Sequence, residues 1–213
     1  MKKEGFLNEA ISNYLLRLGW SYKNFEIINL QDSAKLFDLK DVGKSPARLD
    51  TKKIKFLNEH YLKKLPKKNI FCLYKDLLIE EGKVISDYHA DNLLKYFDEF
   101  TERASTLKDI ISKTKYFFDF KGVSKKYWTL VEKKIVIIND LIPTLKKINE
   151  WTVDSIENTI KIYINKKKLK FFDLGMPIRI LLTDSNSSPS ILIIMVILGK
   201  KEVIRRLESV SVY

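Results

Sequence analysis

The 213-residue sequence is poor in the side chains on which most catalytic and metal chemistry depends. It has one cysteine, Cys72, and two histidines, His60 and His89. A single cysteine excludes an intramolecular disulfide and a metal site built from several cysteines. Cys72 lies in the apolar run 70–73, so we expect a buried thiol in a reducing compartment. Each histidine is isolated on a predicted helix, where a surface or hydrogen-bonded role is expected.

Glycine and long apolar runs are also scarce. The seven glycines are scattered and form no glycine-rich phosphate loop. The longest apolar run, Ile191–Leu198, is far shorter than the roughly 18–20 residues that cross a bilayer, and no apolar stretch near the N-terminus resembles a signal peptide. We therefore expect a cytoplasmic protein that does not associate with a membrane.

Positive charge is the strongest bulk property. The sequence has 39 Lys and Arg against 27 Asp and Glu, which gives a net charge of +12. Such an excess favours a polyanionic partner, either a nucleic acid or an anionic membrane surface. It is equally typical of a solvated, lysine-rich surface, so charge alone leaves these alternatives open.

Apolar residues recur at helical spacing along the whole chain, and no alternating strand pattern or internal repeat is visible. The sequence therefore predicts an all-α fold. Hydrophobic residues make up 45% of the chain, enough for a substantial core. The predicted helices run over 7–19, 30–37, from Asp50 or Thr51 to Pro66, 69–81, from Ser86 to Phe100, from Leu107 onward, from Ser124 to Pro143, from Thr152 to Ile164, and over 173–182, 191–198 and 203–207.

Some of these predictions are specific enough to fail. Ala90, Leu93, Leu94, Phe97 and Phe100 are predicted to form the buried stripe of one helix. Three polar residues, Ser86, Ser124 and Thr152, are predicted N-caps. Pro143 either kinks its helix or stands in the first turn of the next one.

Two stretches, Glu4–Ser21 and Phe37–Leu62, resemble the part of bacterial glutamyl-tRNA synthetases that follows the catalytic domain. Residues 149–152 and 183–207 resemble the start and the end of the family's last helical subdomain, and residues 66–120 match more loosely. The strings that carry the resemblance are Gly5-Phe6-Leu7, Asn13-Tyr14-Leu15, Leu18-Gly19-Trp20, Ser45-Pro46-Ala47-Arg48-Leu49-Asp50, and Leu57-Asn58 followed by Tyr61.

The resemblance implies a stem-contact helical subdomain over 1–68 and an α-helical cage that binds the anticodon over 69–148 and 149–213. The catalytic signatures of the family, a histidine-containing motif and a Lys-Met-Ser-Lys loop, do not occur. The chain is therefore expected to bind tRNA(Glu) without charging it, as a monomer. ATP and magnesium would belong to the catalytic domain, and tRNA(Gln) stays open as a second partner.

The resemblance also implies which residues read the anticodon. Arg103 lies in a segment whose arginine contacts the third anticodon base, a cytosine, which offers the acceptors that a guanidinium needs. Arg179 lies in a helix whose arginine faces the anticodon, and Ser188, Pro189 and Ile191 form the loop that holds the first and second bases. The bland alternatives are an exposed arginine at a helix break for Arg103 and a salt bridge for Arg179.

This loop departs from the family pattern, because Ser190 replaces a glycine and Ile193 replaces a glutamate. Trp128 and Trp151 could stack on bases, although their spacing favours the core. Two other functions compete with tRNA binding: an independent helical protein-interaction module and a complete enzyme of unknown type. Phosphate contacts from the first subdomain are predicted for Lys44, Arg48, Lys52 and Lys53, for which a solvated side chain is the alternative.

Overall fold

The computed structural model describes residues 2–43 and 48–209, and these residues are almost entirely helical. They contain no β-strand apart from an isolated antiparallel bridge between Trp20 and Val42, so the all-α prediction is confirmed. Within the described ranges, no helix has both the length and the apolar character that a membrane crossing requires.

The helices follow one another with short connections. Within residues 2–43 and 48–209, four short 3-10 helices cover Lys2–Glu4, Leu39–Asp41, Lys115–Phe117 and Glu132–Lys134. The α-helices of the described residues are, in chain order, α1 Asn8–Gly19, α2 Leu30–Leu36, α3 Thr51–Lys64, α4 Lys67–Glu80, α5 Asp87–Lys95, α6 Asp98–Thr101, α7 Leu107–Thr114, α8 Lys125–Val131, α9 Ile135–Lys146, α10 Val153–Lys167, α11 Phe171–Thr183, α12 Ile191–Leu198 and α13 Lys200–Glu208.

The chain folds into two compact units. Unit 1 comprises Met1–Val84 and Phe97–Ser112, and unit 2 comprises Ile85–Tyr96 and Lys113–Tyr213. The chain therefore passes between the units three times, after residues 84, 96 and 112. The division into 1–68, 69–148 and 149–213 stays a prediction.

Unit 1 is organised around the packing of α1 against α3. The Asp50 carboxylate caps α3 by accepting hydrogen bonds from the backbone N–H groups of Lys52 and Lys53, at 2.9 and 3.1 Å, as predicted. Ile54, Leu57 and Tyr61 are buried, which confirms most of the predicted stripe, whereas Leu65 is only half-buried.

Helix α4 turns Cys72 and Leu73 toward solvent, whereas Ile70, Leu77 and Leu78 of its apolar stripe are buried. The prediction of a buried thiol is wrong, because Cys72 is exposed, and Leu73 is 38% exposed. The aromatic side chains explain the difference: the ring of Phe97 lies 4.9 Å from the ring of Phe71 and 5.4 Å from that of Tyr74. A helix that turns Phe71 and Tyr74 inward turns position 72 toward solvent.

The predicted helix from Ser86 to Phe100 is also wrong as one piece. The backbone leaves helical geometry at Tyr96, with φ −110° and ψ 20°. Helix α5 therefore ends at Lys95, and α6 begins at Asp98. Leu93 is fully buried in unit 2, whereas Phe97 and Phe100 are fully buried in unit 1. The apolar stripe thus serves two separate cores. The Ser86 cap is confirmed, since its hydroxyl accepts from His89 N–H.

Unit 2 is built around α9, α11, α12 and α13. Helix α12, whose sequence is apolar on all sides, is largely enclosed, as expected for such a helix, and the prediction of a helix there is confirmed. Pro143 lies inside α9. Gly199 links α12 to α13 with φ +78°, and a Cβ there would come within 3.0 Å of the Tyr88 ring. Only glycine combines this conformation with so close an approach.

Arg206 is a buried charge inside unit 2, only 3% exposed. Its guanidinium donates to the backbone oxygens of Leu182 and Tyr116, at 2.6 and 2.8 Å, and to Glu202 at 2.6 Å. It also lies 3.9 Å from the centre of the Phe120 ring. Hydrogen bonds from Arg205 and Arg206 lower the pKa of Glu202 to about 2.

We predict that Glu202→Gln lowers the free energy of unfolding by about 2–3 kcal/mol at neutral pH, because it removes the carboxylate that faces buried Arg206. The native pKa lies below the ordinary value of 4.5, so the carboxylate stabilises the fold above pH 4.5. That contribution fades as the pH falls toward 2. Urea unfolding across this range measures both effects. Glu157→Gln, which removes an exposed i,i+4 pair with Lys161, is the control, and equal losses for both variants would contradict the prediction.

Candidate nucleic-acid interface

Arg103 lies in the short loop 102–106 of unit 1, and this loop is fixed to α3 beneath it. Asn58, which is fully buried, donates from its side-chain amide to the Ser105 carbonyl at 2.6 Å. The oxygen of the same amide accepts from the Leu7 N–H at 2.7 Å. The Ser105 hydroxyl donates to the Glu59 carboxylate. One buried asparagine therefore ties the loop to both α3 and the segment before α1.

The start of α7 holds the other end of this loop. The Asp109 carboxylate accepts from the N–H groups of Ser105 and Thr106 at 2.9 and 3.0 Å. The Thr106 hydroxyl in turn accepts from Asp109 N–H at 3.2 Å, an arrangement that closes a helix start from both sides. Arg103 is exposed, whereas its neighbour Ala104 is 2% exposed. The arginine therefore projects from a backbone that is held in place.

The first of the strings behind the resemblance also supports this loop. Gly5 has φ +80°, and its carbonyl accepts from Leu107 N–H at 2.9 Å. A Cβ at this position would lie 2.7 Å from the Lys108 nitrogen, so the position requires glycine. The string Gly5-Phe6-Leu7 thus sets the position of α7 rather than a binding group.

Arg179 holds the loop between α11 and α12 in unit 2. Its Nη1 donates to the carbonyls of Ser188 and Pro189, both at 2.8 Å, and to the Ser188 hydroxyl. The partner that a half-buried guanidinium requires is therefore the loop itself. Three of the five residues predicted to contact the anticodon, Arg179, Ser188 and Pro189, are within hydrogen-bonding contact of one another.

The same loop is anchored at its beginning. Asp184 adopts a left-handed conformation with φ +51°, and its carboxylate accepts from the N–H and the hydroxyl of Ser124, at 2.8 and 2.9 Å. The prediction that Ser124 caps α8 through its side chain is wrong, because the hydroxyl is used here instead. The predicted Thr152 cap is confirmed by its bond from Ser155 N–H at 3.2 Å.

The remaining loop residues differ in what they expose. Ile191 is 4% exposed and Pro189 is buried, so both support the loop from within. Ser188 is half-buried, and Ser190 is exposed with φ −49°. Any residue can adopt that φ, so replacing glycine with serine causes no backbone strain. Contacts between these residues and RNA bases stay predictions.

The predicted phosphate-binding residues are not equivalent. Lys44 lies outside the described residues. Arg48 and Lys52 are exposed, whereas Lys53 forms an ion pair with Glu26 at 3.3 Å. A lysine that is already paired has less attraction for a phosphate, so Arg48 and Lys52 are the better candidates.

The isolated histidines and the tryptophans are also placed by their surroundings. Burial and nearby Lys64 lower the pKa of His60, which favours a neutral imidazole. His89 lies against the Phe117 ring, 6.2 Å between centres. Trp151 donates from its indole to the Met195 carbonyl at 2.8 Å, a structural role. Trp128 is half-exposed and faces a groove of unit 2.

Sequence reasoning missed two residues that position these loops, Asn58 and Arg206. Both are polar residues on an apolar helix face: Asn58 follows Leu57 in the buried stripe of α3, and Arg206 stands between Val203 and Leu207 on that of α13. A polar side chain at a core position must be hydrogen-bonded, and this is the signal that could have identified them.

The chain belongs to the anticodon-binding domain family, whose model matches residues 51–211. It matches the C-terminal part of glutamate–tRNA ligases. It is 36% identical over 217 residues to the ligase of Wigglesworthia glossinidia brevipalpis and 35% identical over 210 residues to that of Pelagibacter ubique. These alignments cover 97% and 96% of the chain but 44% of each relative.

Solved structures of related ligases have the same fold. A glutamate–tRNA ligase from Elizabethkingia meningosepticum, in complex with its amino acid, superposes with a TM-score of 0.82 at 30% identity, covering 97% of this chain and 41% of that one. The glutamate–tRNA synthetase of Elizabethkingia anophelis gives a TM-score of 0.79 at the same identity. The resemblance inferred from the sequence strings is thereby confirmed.

We predict that Asn58→Ala lowers the free energy of unfolding by about 2–4 kcal/mol, because it leaves the Leu7 N–H and the Ser105 carbonyl without their partner. Chemical denaturation measures the loss. Asn69→Ala, at an exposed position on α4, is the matched control and should change stability by less than about 0.5 kcal/mol. A loss at Asn58 no larger than that at Asn69 would show that the buried amide does not hold the loop.

We predict that Arg179→Ala lowers the free energy of unfolding by about 1–3 kcal/mol, since two carbonyls of the loop lose a charged donor. Amide hydrogen exchange in residues 185–190 should accelerate as well. Arg103→Ala removes an exposed arginine and should cost less than about 0.5 kcal/mol. Unchanged exchange in the loop after Arg179→Ala would mean that the arginine does not anchor it.

Proposed function

We propose that the chain is the part of a glutamate–tRNA ligase that recognises the anticodon of tRNA(Glu). The observation that carries this proposal is the geometry of the loop between α11 and α12, called the Arg179 loop. There one guanidinium donates hydrogen bonds to the carbonyls of both Ser188 and Pro189. A fixed loop of carbonyl and hydroxyl groups suits splayed-out bases, which are recognised through their hydrogen-bonding edges.

Arg103 has a separate role in this proposal. It reads the third anticodon base. Ser105 accepts a hydrogen bond from the Asn58 amide and donates one to the Asp109 carboxylate, and these two bonds hold the loop before the RNA arrives. A donor that is already positioned loses less conformational entropy on binding than a flexible one. The large side chain also disfavours a purine at that base, which would set tRNA(Glu) apart from tRNA(Gln).

Phosphates contribute affinity without reading sequence. The net charge of +12 attracts the RNA backbone, and Arg48 and Lys52 are the proposed contacts in unit 1. We further propose that the chain acts as a monomer. In this proposal, ATP-dependent joining of glutamate to tRNA uses residues outside these 213, with ATP and magnesium bound there.

We predict that Arg103→Ala weakens binding of an RNA hairpin carrying the glutamate anticodon by about 1–3 kcal/mol. The loss should shrink when guanine replaces the third base, since the contact is base-specific. Fluorescence anisotropy across a salt series measures affinity and its salt slope together. Lys161→Ala, an exposed lysine on α10, controls for the loss of one charge.

Salt dependence distinguishes the two kinds of contact. Arg48→Gln or Lys52→Gln should lower the salt slope by about one while affecting all hairpins alike, whereas Arg103→Ala should leave the slope nearly unchanged. The proposed function would be disproved if the wild-type protein bound hairpins with different anticodons equally well. It would also be disproved if the wild-type protein bound the glutamate hairpin no more tightly than the Lys161→Ala control binds unrelated RNA.

A further inference from the structure

A groove of about 710 Å³ crosses the surface of unit 2. It is separate from the Arg179 loop, because Leu181 in its wall and Arg179 are two positions apart on α11, about 200° around the helix axis. The lining residues that matter below are two aromatic residues, three cationic residues and one leucine: Phe120, Trp128, Lys121, Lys125, Arg205 and Leu181.

The two sides of the groove are held by independent contacts. On one side, the Phe120 ring packs against the guanidinium of buried Arg206, 3.9 Å from its centre. On the other side, the bonds from Ser124 to Asp184 fix the start of α8. Lys125 and Trp128 stand three residues apart on that helix and so share one face. The aromatic wall and the lysine are therefore presented together.

The charges of the groove favour an anion. Arg205 is engaged in two 2.7 Å hydrogen bonds to Glu202, so it forms part of the wall. Lys121 is 86% exposed, with Asp119 at 3.9 Å. Among the described residues, no carboxylate lies within 4.0 Å of the Lys125 ammonium group. Lys125 is thus available to a phosphate beside the aromatic wall, and Lys121 adds a second positive charge that Asp119 partly offsets.

We propose that this groove binds one unpaired nucleotide of the bound RNA, outside the contacts predicted for Arg103 and the Arg179 loop. The base lies against Trp128 and Leu181, and its phosphate lies between Lys121 and Lys125. Every base has an aromatic face, so stacking of this kind tolerates sequence, and lysine acts on phosphate as a point charge. This inference rests on the proposed function, because the same RNA must occupy both sites.

The test uses the full chain and the RNA hairpin with its natural loop. Trp128→Ala should weaken binding roughly 5- to 100-fold. The double variant Lys121→Gln, Lys125→Gln should weaken it and lower the salt slope by about two. Lys161→Gln is the matched control. Ultraviolet cross-linking of hairpins with 5-iodouridine at successive loop positions should attach one loop nucleotide outside the anticodon to peptide 120–128.

Each outcome decides the matter. If Trp128→Ala unfolds the protein, the double lysine variant and the cross-link give the answer, because both lysines are exposed. Wild-type affinity in the groove variants, while Arg103→Ala still weakens binding, would overturn this inference and leave the proposed function standing. Failure of the wild-type chain to bind the hairpin would overturn both. Groove chemical shifts that respond to free uridine monophosphate but not to the hairpin would indicate a free-nucleotide site and overturn it too.

Discussion

The hydrogen bonds of the Arg206 guanidinium control the geometry of unit 2. Burying such a charge is costly unless it is bonded, and here it is satisfied by backbone carbonyls from two separate segments and by Glu202. The Leu182 carbonyl lies in the last turn of α11, just before the loop to which Arg179 donates its hydrogen bonds. The Tyr116 carbonyl precedes the aromatic wall of the groove. One side chain of α13 thus fixes the supports of the two candidate RNA-contacting surfaces of unit 2, the Arg179 loop and the groove.

Unit 1 solves the same problem with a neutral group. The buried Asn58 side chain bonds to the backbone of Leu7 and of Ser105. Its amide has both a donor and an acceptor, so it satisfies two backbone groups that would otherwise be buried without a partner. In unit 1, the arginine predicted to meet RNA, Arg103, is distinct from the buried side chain that holds its loop, whereas in unit 2 Arg179 itself bonds the loop. Recognition and support are therefore carried by different residues in unit 1 and meet in one residue in unit 2.

Local sequence patterns predicted most helices, because apolar spacing and capping residues act within a few turns. The predictions failed where contacts between distant residues determined the structure. Phe97 packs against the face of α4 that carries Phe71 and Tyr74, so Cys72 faces solvent. The Ser124 hydroxyl donates to Asp184 and does not cap α8. The resemblance placed Arg103 and Arg179, but it could not indicate that Arg179 bonds the very loop it was grouped with. Nor could spacing alone show that the stripe from Ala90 to Phe100 is divided between two cores.

That division has a consequence for the integrity of the polypeptide. Because the chain crosses between the units three times, no single cut releases both units whole. A nick after residue 84 divides unit 1, one after 112 divides unit 2, and one after 96 divides both. The family match, which starts at residue 51, likewise begins inside unit 1. Helix α5, which joins the two segments of unit 1 along the chain, is itself packed into unit 2, where Leu93 is fully buried. Neither unit can therefore be excised as one continuous stretch of the sequence.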